Sequence, residues 1–347
     1  MTELRRNIET QPGELLRTLR HTLGPGREDL RLAARLVREA RHVYITGIGS
    51  SWHAGMAVAA LFEAAGRPVH LVDASELLHA HALPRQACIV ALSRSGKSVE
   101  IVELLEKAAR AGARVAGITN TPESPLAERA DAVLRLEAAF DHNISIAMYS
   151  ALTLAGGLLA EEALGRLDEA LARGLERALE AAPEALRRWS AQIEDHPWFA
   201  AEAPAYFLAR GAGLAAAHET RLLWEEGAKA PACAMTTGGF RHGPQEMLAP
   251  GVRLGIWIHE TILRDADLAL AADARNFGAK VLLIGRGLPR EAGDLVLEPP
   301  AAPPRWSFLL EILPGQLAAE RLARLRGVDC DEFRICPYII QAEGGLA

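Results

Sequence analysis

Cys88-Ile89-Val90-Ala91-Leu92-Ser93-Arg94-Ser95-Gly96-Lys97-Ser98-Val99-Glu100 decides the fold. Its first five residues form a short apolar run, the signature of a strand buried on both faces of a parallel sheet. Beyond the serines, Val99, Ile101, Val102, Leu104 and Leu105 recur at helical spacing, with Glu100, Glu103, Glu106 and Lys107 on the opposite face. The hydroxyls and the glycine therefore occupy a turn between a strand's C-terminal end and a helix's first turn. Backbone N–H groups there lack intrahelical acceptors and carry partial positive charge, so they suit an anion. Three serine hydroxyls, Arg94 and Lys97 strengthen the expectation of a phosphate cradle. The competing expectation is an ordinary βα turn whose serines only cap the helix.

The same alternation extends in both directions. A helical segment covers 1–40, broken near Gly24-Pro25-Gly26. His42–Thr46 reads as a strand ending in Gly47-Ile48-Gly49-Ser50-Ser51, and a helix runs from about Trp52 to Ala65. Pro68–Val72 is a second strand, Ser75-Glu76 opens a short helix with its own cap, and Arg114–Thr119 and Ala132–Leu136 are further strands. Strands alternating with helices predict a mainly parallel sheet with helices on both faces. Helix dominates from about 144 to 195, and the alternation then restarts at Ala205–Ala209. Gly211-Ala212-Gly213 stands 164 residues after Gly47-Ile48-Gly49, Gly278–Val281 stands 166 after Gly112–Val115, and Asp294–Leu297 stands 163 after Asp131–Leu134. Val252–Ile258 mirrors Cys88–Leu92. Such agreement indicates a duplicated domain, with the crevice between domains a natural ligand site. Where the serine loop would recur stands His259-Glu260-Thr261-Ile262, so one phosphate site is expected, in the first copy.

Composition narrows the function. The 347 residues carry a net charge of −6, which supplies no basic footprint for nucleic acid. The N-terminus has no apolar core of a secretory signal. The uncharged run His142–Ala160 contains polar residues and two glycines and predicts a buried core helix, not a membrane span. Cys88, Cys233, Cys330 and Cys336 show no metal-ligand spacing. A cytoplasmic protein without membrane contact is expected. Gly47-Ile48-Gly49 suggests a dinucleotide fingerprint, but Trp52 stands where the third glycine should fall.

Taken together, Gly49-Ser50-Ser51, Ala74-Ser75-Glu76, Leu92–Ser98, Asn120-Thr121-Pro122 and Phe240-Arg241-His242-Gly243-Pro244 resemble the sugar isomerase (SIS) domain family. The likeness extends from about 40 to 336. It is strongest to double-SIS isomerase halves of glutamine–fructose-6-phosphate aminotransferases and to stand-alone isomerase, deaminase and deglycase relatives. The resemblance implies an α/β fold of two tandem SIS domains, each a three-layer, flavodoxin-like sandwich. The expected divisions are a helical segment 1–40, SIS domains 41–165 and 201–328, a helical connector 166–200 and a tail 329–347.

The resemblance also implies site residues. Ser51, Ser93, Ser95 and Ser98, with Arg94 and Gly96, would bind the substrate phosphate, and Gly49, Ser50 and Glu219 would support the site. Glu226 would move a proton between the first two sugar carbons, a role suited to a carboxylate in a partly dry pocket. His242 would assist ring opening from the partner subunit of a homodimer, placing the active site near the subunit interface. No metal or organic cofactor is called for. Departures are Leu223 and Gly239, where aminotransferases carry lysine and glutamate, and Tyr338 in place of a tail lysine. No lysine follows Lys280, so an imine to the tail is not expected. No glutaminase segment with its N-terminal cysteine is seen, so glutamine-dependent amination is not expected of this sequence. The leading expectation is a phosphosugar isomerase or deaminase acting on a hexose 6-phosphate or its amino or fructosamine derivative. The alternatives are a simple aldose–ketose isomerase and a non-catalytic sugar-phosphate-binding regulator.

Overall fold

A computed structural model describes residues 1–342, 344 and 345. Two compact units divide the chain, one of Thr10–Glu176 with the tail from Phe333, the other of Met1–Glu9 with Arg177–Glu332. In chain order the elements begin with α1 (Glu3–Leu23), α2 (Arg27–Glu39), β1 (His42–Thr46), α3 (Ser50–Glu63), β2 (His70–Leu71), α4 (Ala74–His79) and β3 (Ala87–Leu92). They continue with α5 (Val99–Ala111), β4 (Arg114–Thr119), α6 (Pro125–Arg129), β5 (Ala132–Arg135), α7 (Ala147–Ala163) and α8 (Glu169–Glu194). The remainder are β6 (Ala205–Ala209), α9 (Gly213–Glu226), β7 (Ala232–Thr236), α10 (Thr237–Phe240), β8 (Arg253–Trp257), α11 (Arg264–Asn276), β9 (Lys280–Ile284), β10 (Leu295–Leu297) and α12 (Phe308–Arg326).

Each unit holds one five-stranded sheet, in the orders β2-β1-β3-β4-β5 and β7-β6-β8-β9-β10. Every recorded pairing is parallel. The orders superpose strand for strand, so the duplication read from spacing is a duplication of topology. All six residues of β3 are buried, as its apolar run requires. On α5, Ile101, Leu104, Leu105 and Ala108 face the core with Leu77, Ile89 and Val115, and Gly112 ends the helix at φ 69°. In the second unit Leu208, Phe240, Leu254, Ile256 and Val281 form the corresponding core. The uncharged run becomes α7, buried over nearly its whole surface. A helix apolar all round must be enclosed by protein or lipid. No helix among the described residues is long and apolar enough to cross a membrane.

Four details depart from expectation. Glu100, expected on the solvent face of α5, is only 6% exposed. Asp73 rather than Ser75 caps α4, its carboxylate accepting the Ser75 N–H at 2.9 Å. Of the second predicted strand only His70 and Leu71 are in register with β1, and the Val72 N–H adds a bond to the Ile45 carbonyl at 3.1 Å, while Pro68 has no N–H to give. Strand β7 was not anticipated. It is a half-exposed edge strand of small residues, without the apolar run that marks a central one.

Candidate functional site

In the first sheet β1 connects outward to β2 and β3 connects the opposite way to β4, so the chain reverses direction between β1 and β3. Open parallel sheets bind ligands at such a switch point, beyond the strands' C-terminal ends. Both α3 and α5 begin there. The turn into α3 needs glycine twice. A Cβ on Gly47 would lie 2.7 Å from the Ser51 carbonyl carbon, and Gly49 adopts φ 55°, ψ −129°, which a side chain disfavours. This geometry puts Ser50 and Ser51 in the first turn of α3, partly exposed at the crevice.

The serine loop, facing it across the crevice, is held by its own hydroxyls. Ser93 Oγ accepts the Gly96 N–H at 3.1 Å and Ser95 Oγ accepts the Lys97 N–H at 3.3 Å. Accepting through oxygen leaves each hydroxyl proton available for another acceptor. The N–H groups of Arg94, Ser95 and Ser98 meet no acceptor among the described residues. Ser98 stands at the N-cap of α5, yet its side chain makes no capping bond. Simple helix capping therefore does not account for these serines. Gly96, at φ 61°, is obligatory. An added Cβ would stand 2.3 Å from Ser124 Oγ, and its carbonyl accepts the Leu126 N–H at 3.3 Å.

Arg94 is bound at both ends. Its carbonyl accepts from Thr119 Oγ1, the Asn120 N–H and Thr121 Oγ1 at 3.1–3.2 Å. Its guanidinium donates to the carbonyls of Asn143 and Tyr338 at 3.1 and 3.3 Å and lies 4.1 Å from the Tyr338 ring centroid. A guanidinium over an aromatic face is a favourable pairing. The Val99 N–H donates to the Ile340 carbonyl at 3.2 Å, so the tail lies along the first turn of α5. Lys97 is exposed. Asp141 closes the neighbouring loop, accepting the N–H groups of Ile146, Ala147 and Met148 at 2.8–2.9 Å where α7 begins. Burial pushes its carboxyl up to about 6, opposed by those three bonds and by the charge of Arg94.

Glu219, Glu226 and His242 belong to the other unit. Glu219 is wholly buried within α9. Glu226 is the last residue of that helix, half-buried, and its carbonyl accepts from Lys229 Nζ. His242 is exposed in the loop after α10, its N–H donated to the Gly239 carbonyl at 3.1 Å. The second sheet has its own switch point, between β6 and β8. There Arg210 grips Asp267 with Nε and Nη2 at 2.8–3.0 Å, and Asp267 is 1% exposed. His259 Nδ1 accepts the N–H groups of Thr261 and Ile262 at 3.1 and 3.0 Å, which leaves its proton on Nε2. Burial lowers its pKa. Burial together with the charge of Glu260 pushes Glu311 up to about 7 against a hydrogen bond from Ser307. Sequence reasoning passed over Arg210, Asp267 and Glu311; a basic residue directly after the β6 apolar run was the available signal for the first.

Residues 36–159 match the SIS domain family. That stretch of the first unit is similar to a SIS domain. The matched segment contains β1 to β5, both turns of the first switch point and most of α7. Among curated relatives, the glutamine–fructose-6-phosphate aminotransferase of Symbiobacterium thermophilum is 29% identical over 95% of this chain. The chain spans about 57% of that relative's length. The SIS architecture recurs in the C-terminal domain of the Francisella tularensis glucosamine-fructose-6-phosphate aminotransferase, at TM-score 0.85 and 21% identity, covering 96% of this chain and 98% of that one. It recurs in glucosamine-6-phosphate deaminase from Thermotoga maritima at TM-score 0.82 and 20% identity, covering 98% and 99%. At such identities the solved structures share the fold with this chain. The fold is that of two tandem SIS-type α/β sheets.

Proposed function

We propose that this protein is an enzyme acting on a hexose 6-phosphate, or on its amino or fructosamine derivative, by proton transfer at the first two sugar carbons. The observation that carries the reading is the convergence of Ser51 with Ser93–Ser98 at the β1/β3 switch point. Two helix N-termini, hydroxyls with free protons and open main-chain N–H groups meet there. Together they supply what a phosphate dianion requires. The aminotransferase and deaminase relatives are both named for sugars phosphorylated at position 6, which supports the same substrate class.

In this reading Ser51, Ser93, Ser95 and Ser98 donate hydroxyl protons to phosphate oxygens, with the N–H groups of Arg94, Ser95 and Ser98 beside them. Gly49 and Ser50 shape the facing turn. The Arg94 side chain holds the tail rather than the phosphate. Glu226 removes a proton from one sugar carbon and returns it to the next through an enediol or enolamine, from which nitrogen can leave. Its half-buried place at the end of α9 suits a carboxylate that must remain basic. Glu219, buried two turns earlier on the same side of α9, fixes the helix. His242 passes a proton to the ring oxygen during opening. Its exposure on a loop suits a residue that serves a partner subunit, in a homodimer with its active sites near the subunit interface.

The test is incubation with a panel of hexose, amino-sugar and fructosamine 6-phosphates, followed by product and ammonia detection. Turnover of at least one member is expected, falling about 10²–10⁴-fold in Glu226→Gln. Binding without conversion of any member would replace the catalytic reading with a sugar-phosphate sensor.

A further inference from the structure

The unit that carries His242 holds a concavity of its own, between α11 and the loop after α10, with a volume of about 500 Å³. That volume lies within the range of small-molecule sites. One wall is a face of α11 and its C-cap, where Ala266, Ala269, Leu270, Asp273 and Phe277 recur at helical spacing. Asp267, Ala271 and Ala274, on the opposite face, are buried against the sheet. A surface helix ordinarily turns polar residues outward. Here Phe277 is 64% exposed, and Met247, on the facing loop, is 51% exposed.

The other wall supplies charge. Phe240 is wholly buried, its ring edge-on to Tyr206 at 5.7 Å, and it anchors the root of the loop. Arg241, Gln245 and Glu246 follow it along the hollow. Between them the backbone turns at Gly243, φ 132°, and the Glu246 N–H donates to the Gly243 carbonyl at 3.0 Å. The side chains of Arg241, Gln245, Glu246 and Asp273 make no hydrogen bond or ion pair among the described residues. Elsewhere on α11 charges are matched, Arg275 by Asp294 at 3.5 Å and Asp267 by Arg210 at 2.8 Å. One cation, one amide and two carboxylates thus line an apolar hollow without answering one another.

We propose that this hollow binds a free α-amino acid with an apolar or aromatic side chain. A carboxylate on each wall suits the ammonium, which sits between Glu246 and Asp273. The Arg241 guanidinium and the Gln245 amide suit the carboxylate, and Leu270 and Phe277 take the side chain. Both signs of charge within one hollow match a small zwitterion. Ala266 and Ala269 leave space for a ligand where a protein contact would want a ridge. Arg241 and Gln245 flank His242, so occupancy would also fix that loop. The binding claim does not rest on the sugar chemistry proposed for the histidine.

Calorimetric titration of the full chain with L-phenylalanine, 3-phenylpropionate, phenethylamine and glycine tests it. One phenylalanine should bind per chain, about fivefold more tightly than either single-charge analogue, as expected of partly exposed charges. Glycine should bind about tenfold more weakly than phenylalanine, since it buries no side chain. Asp273→Asn should weaken phenylalanine and leave phenylpropionate unchanged, whereas Arg241→Gln should weaken phenylalanine and leave phenethylamine unchanged. Both variants should melt with the parent, because neither charge has a partner to lose. Amide hydrogen exchange across 240–248 should slow under saturating phenylalanine. Phe277→Asp should weaken phenylalanine and keep the parent's oligomeric state. Absence of phenylalanine binding overturns the proposal, as do equal affinities for all four probes or exchange that slows only outside 240–248. A parent dimer that Phe277→Asp splits would make the groove a contact between copies and overturn it too.

Discussion

The two switch points share strand order, helix placement and a glycine-rich first turn, yet their chemistry is opposite. At β1/β3 the second turn is serine-rich, and the N–H groups of Arg94, Ser95 and Ser98 meet no acceptor among the described residues. At β6/β8 the second turn spends its N–H groups on His259, Arg210 is locked to Asp267, and Glu260 adds a second carboxylate. An anion would find open donors in the first crevice and compensated charge in the second. Duplication supplies the scaffold, and the five or six residues after the third strand of each copy determine what it can hold. The copies also differ in strain. Gly96 takes φ 61° in the first loop, while in the second Leu263 takes φ 48° with a side chain present.

That contrast can be broken in stages. The largest effect is expected from Asp267→Ala, which strands the Arg210 guanidinium at a site where it is 17% exposed. A loss of about 3–5 kcal/mol is expected in a denaturant melt, because removing one partner leaves the other's charge uncompensated. Phosphosugar affinity measured on the folded fraction should not follow. If stability falls by less than 1 kcal/mol, the Arg210–Asp267 lock is not structural.

Next is Gly96→Ala, which sets a Cβ against Ser124 and removes the freedom the loop needs. A loss of about 1–3 kcal/mol is expected, together with weakened phosphosugar binding. Ile262→Ala, in the corresponding turn of the second copy, should stay within about 0.5 kcal/mol of the parent because Ile262 is 46% exposed. Equal effects of the two substitutions would erase the distinction between the loops.

The smallest effect concerns pH. Glu311 holds its proton more tightly folded than unfolded, so its contribution to stability is complete below about 4.5 and is lost as pH rises through about 7. Glu311→Gln should flatten the fall in melting temperature across that window. Asp141, raised in the same direction, keeps part of the slope. An unchanged slope would mean that Glu311 is ionised throughout.

Much of this contrast was legible before any coordinates. The Cys88–Leu92 run followed by serines and a helical stripe located both the sheet and its anion-suited turn, because strand burial and helix periodicity are local properties. The matched spacings revealed the second copy for the same reason. The burial of Glu100, the tail crossing Arg94 and the Arg210–Asp267 lock depend on residues 57 to 244 positions apart or on packing from other elements. No window of sequence contains them. Strand β7 escaped because an edge strand need not be apolar, and Asp73 is the cap of α4 because the helix begins at Ala74, one residue before Ser75.

The central claim is that the first crevice, and not the second, holds the sugar phosphate. Calorimetric titration of fructose 6-phosphate into the parent, Ser95→Ala and His259→Ala proteins tests it directly, with fructose as the unphosphorylated control. A hydrogen bond to a charged oxygen is worth about 1.5–3 kcal/mol, so Ser95→Ala should weaken binding by roughly 10–100-fold. His259→Ala should bind as the parent does, and fructose should not bind detectably. Binding that survives Ser95→Ala and disappears with His259→Ala would contradict the account.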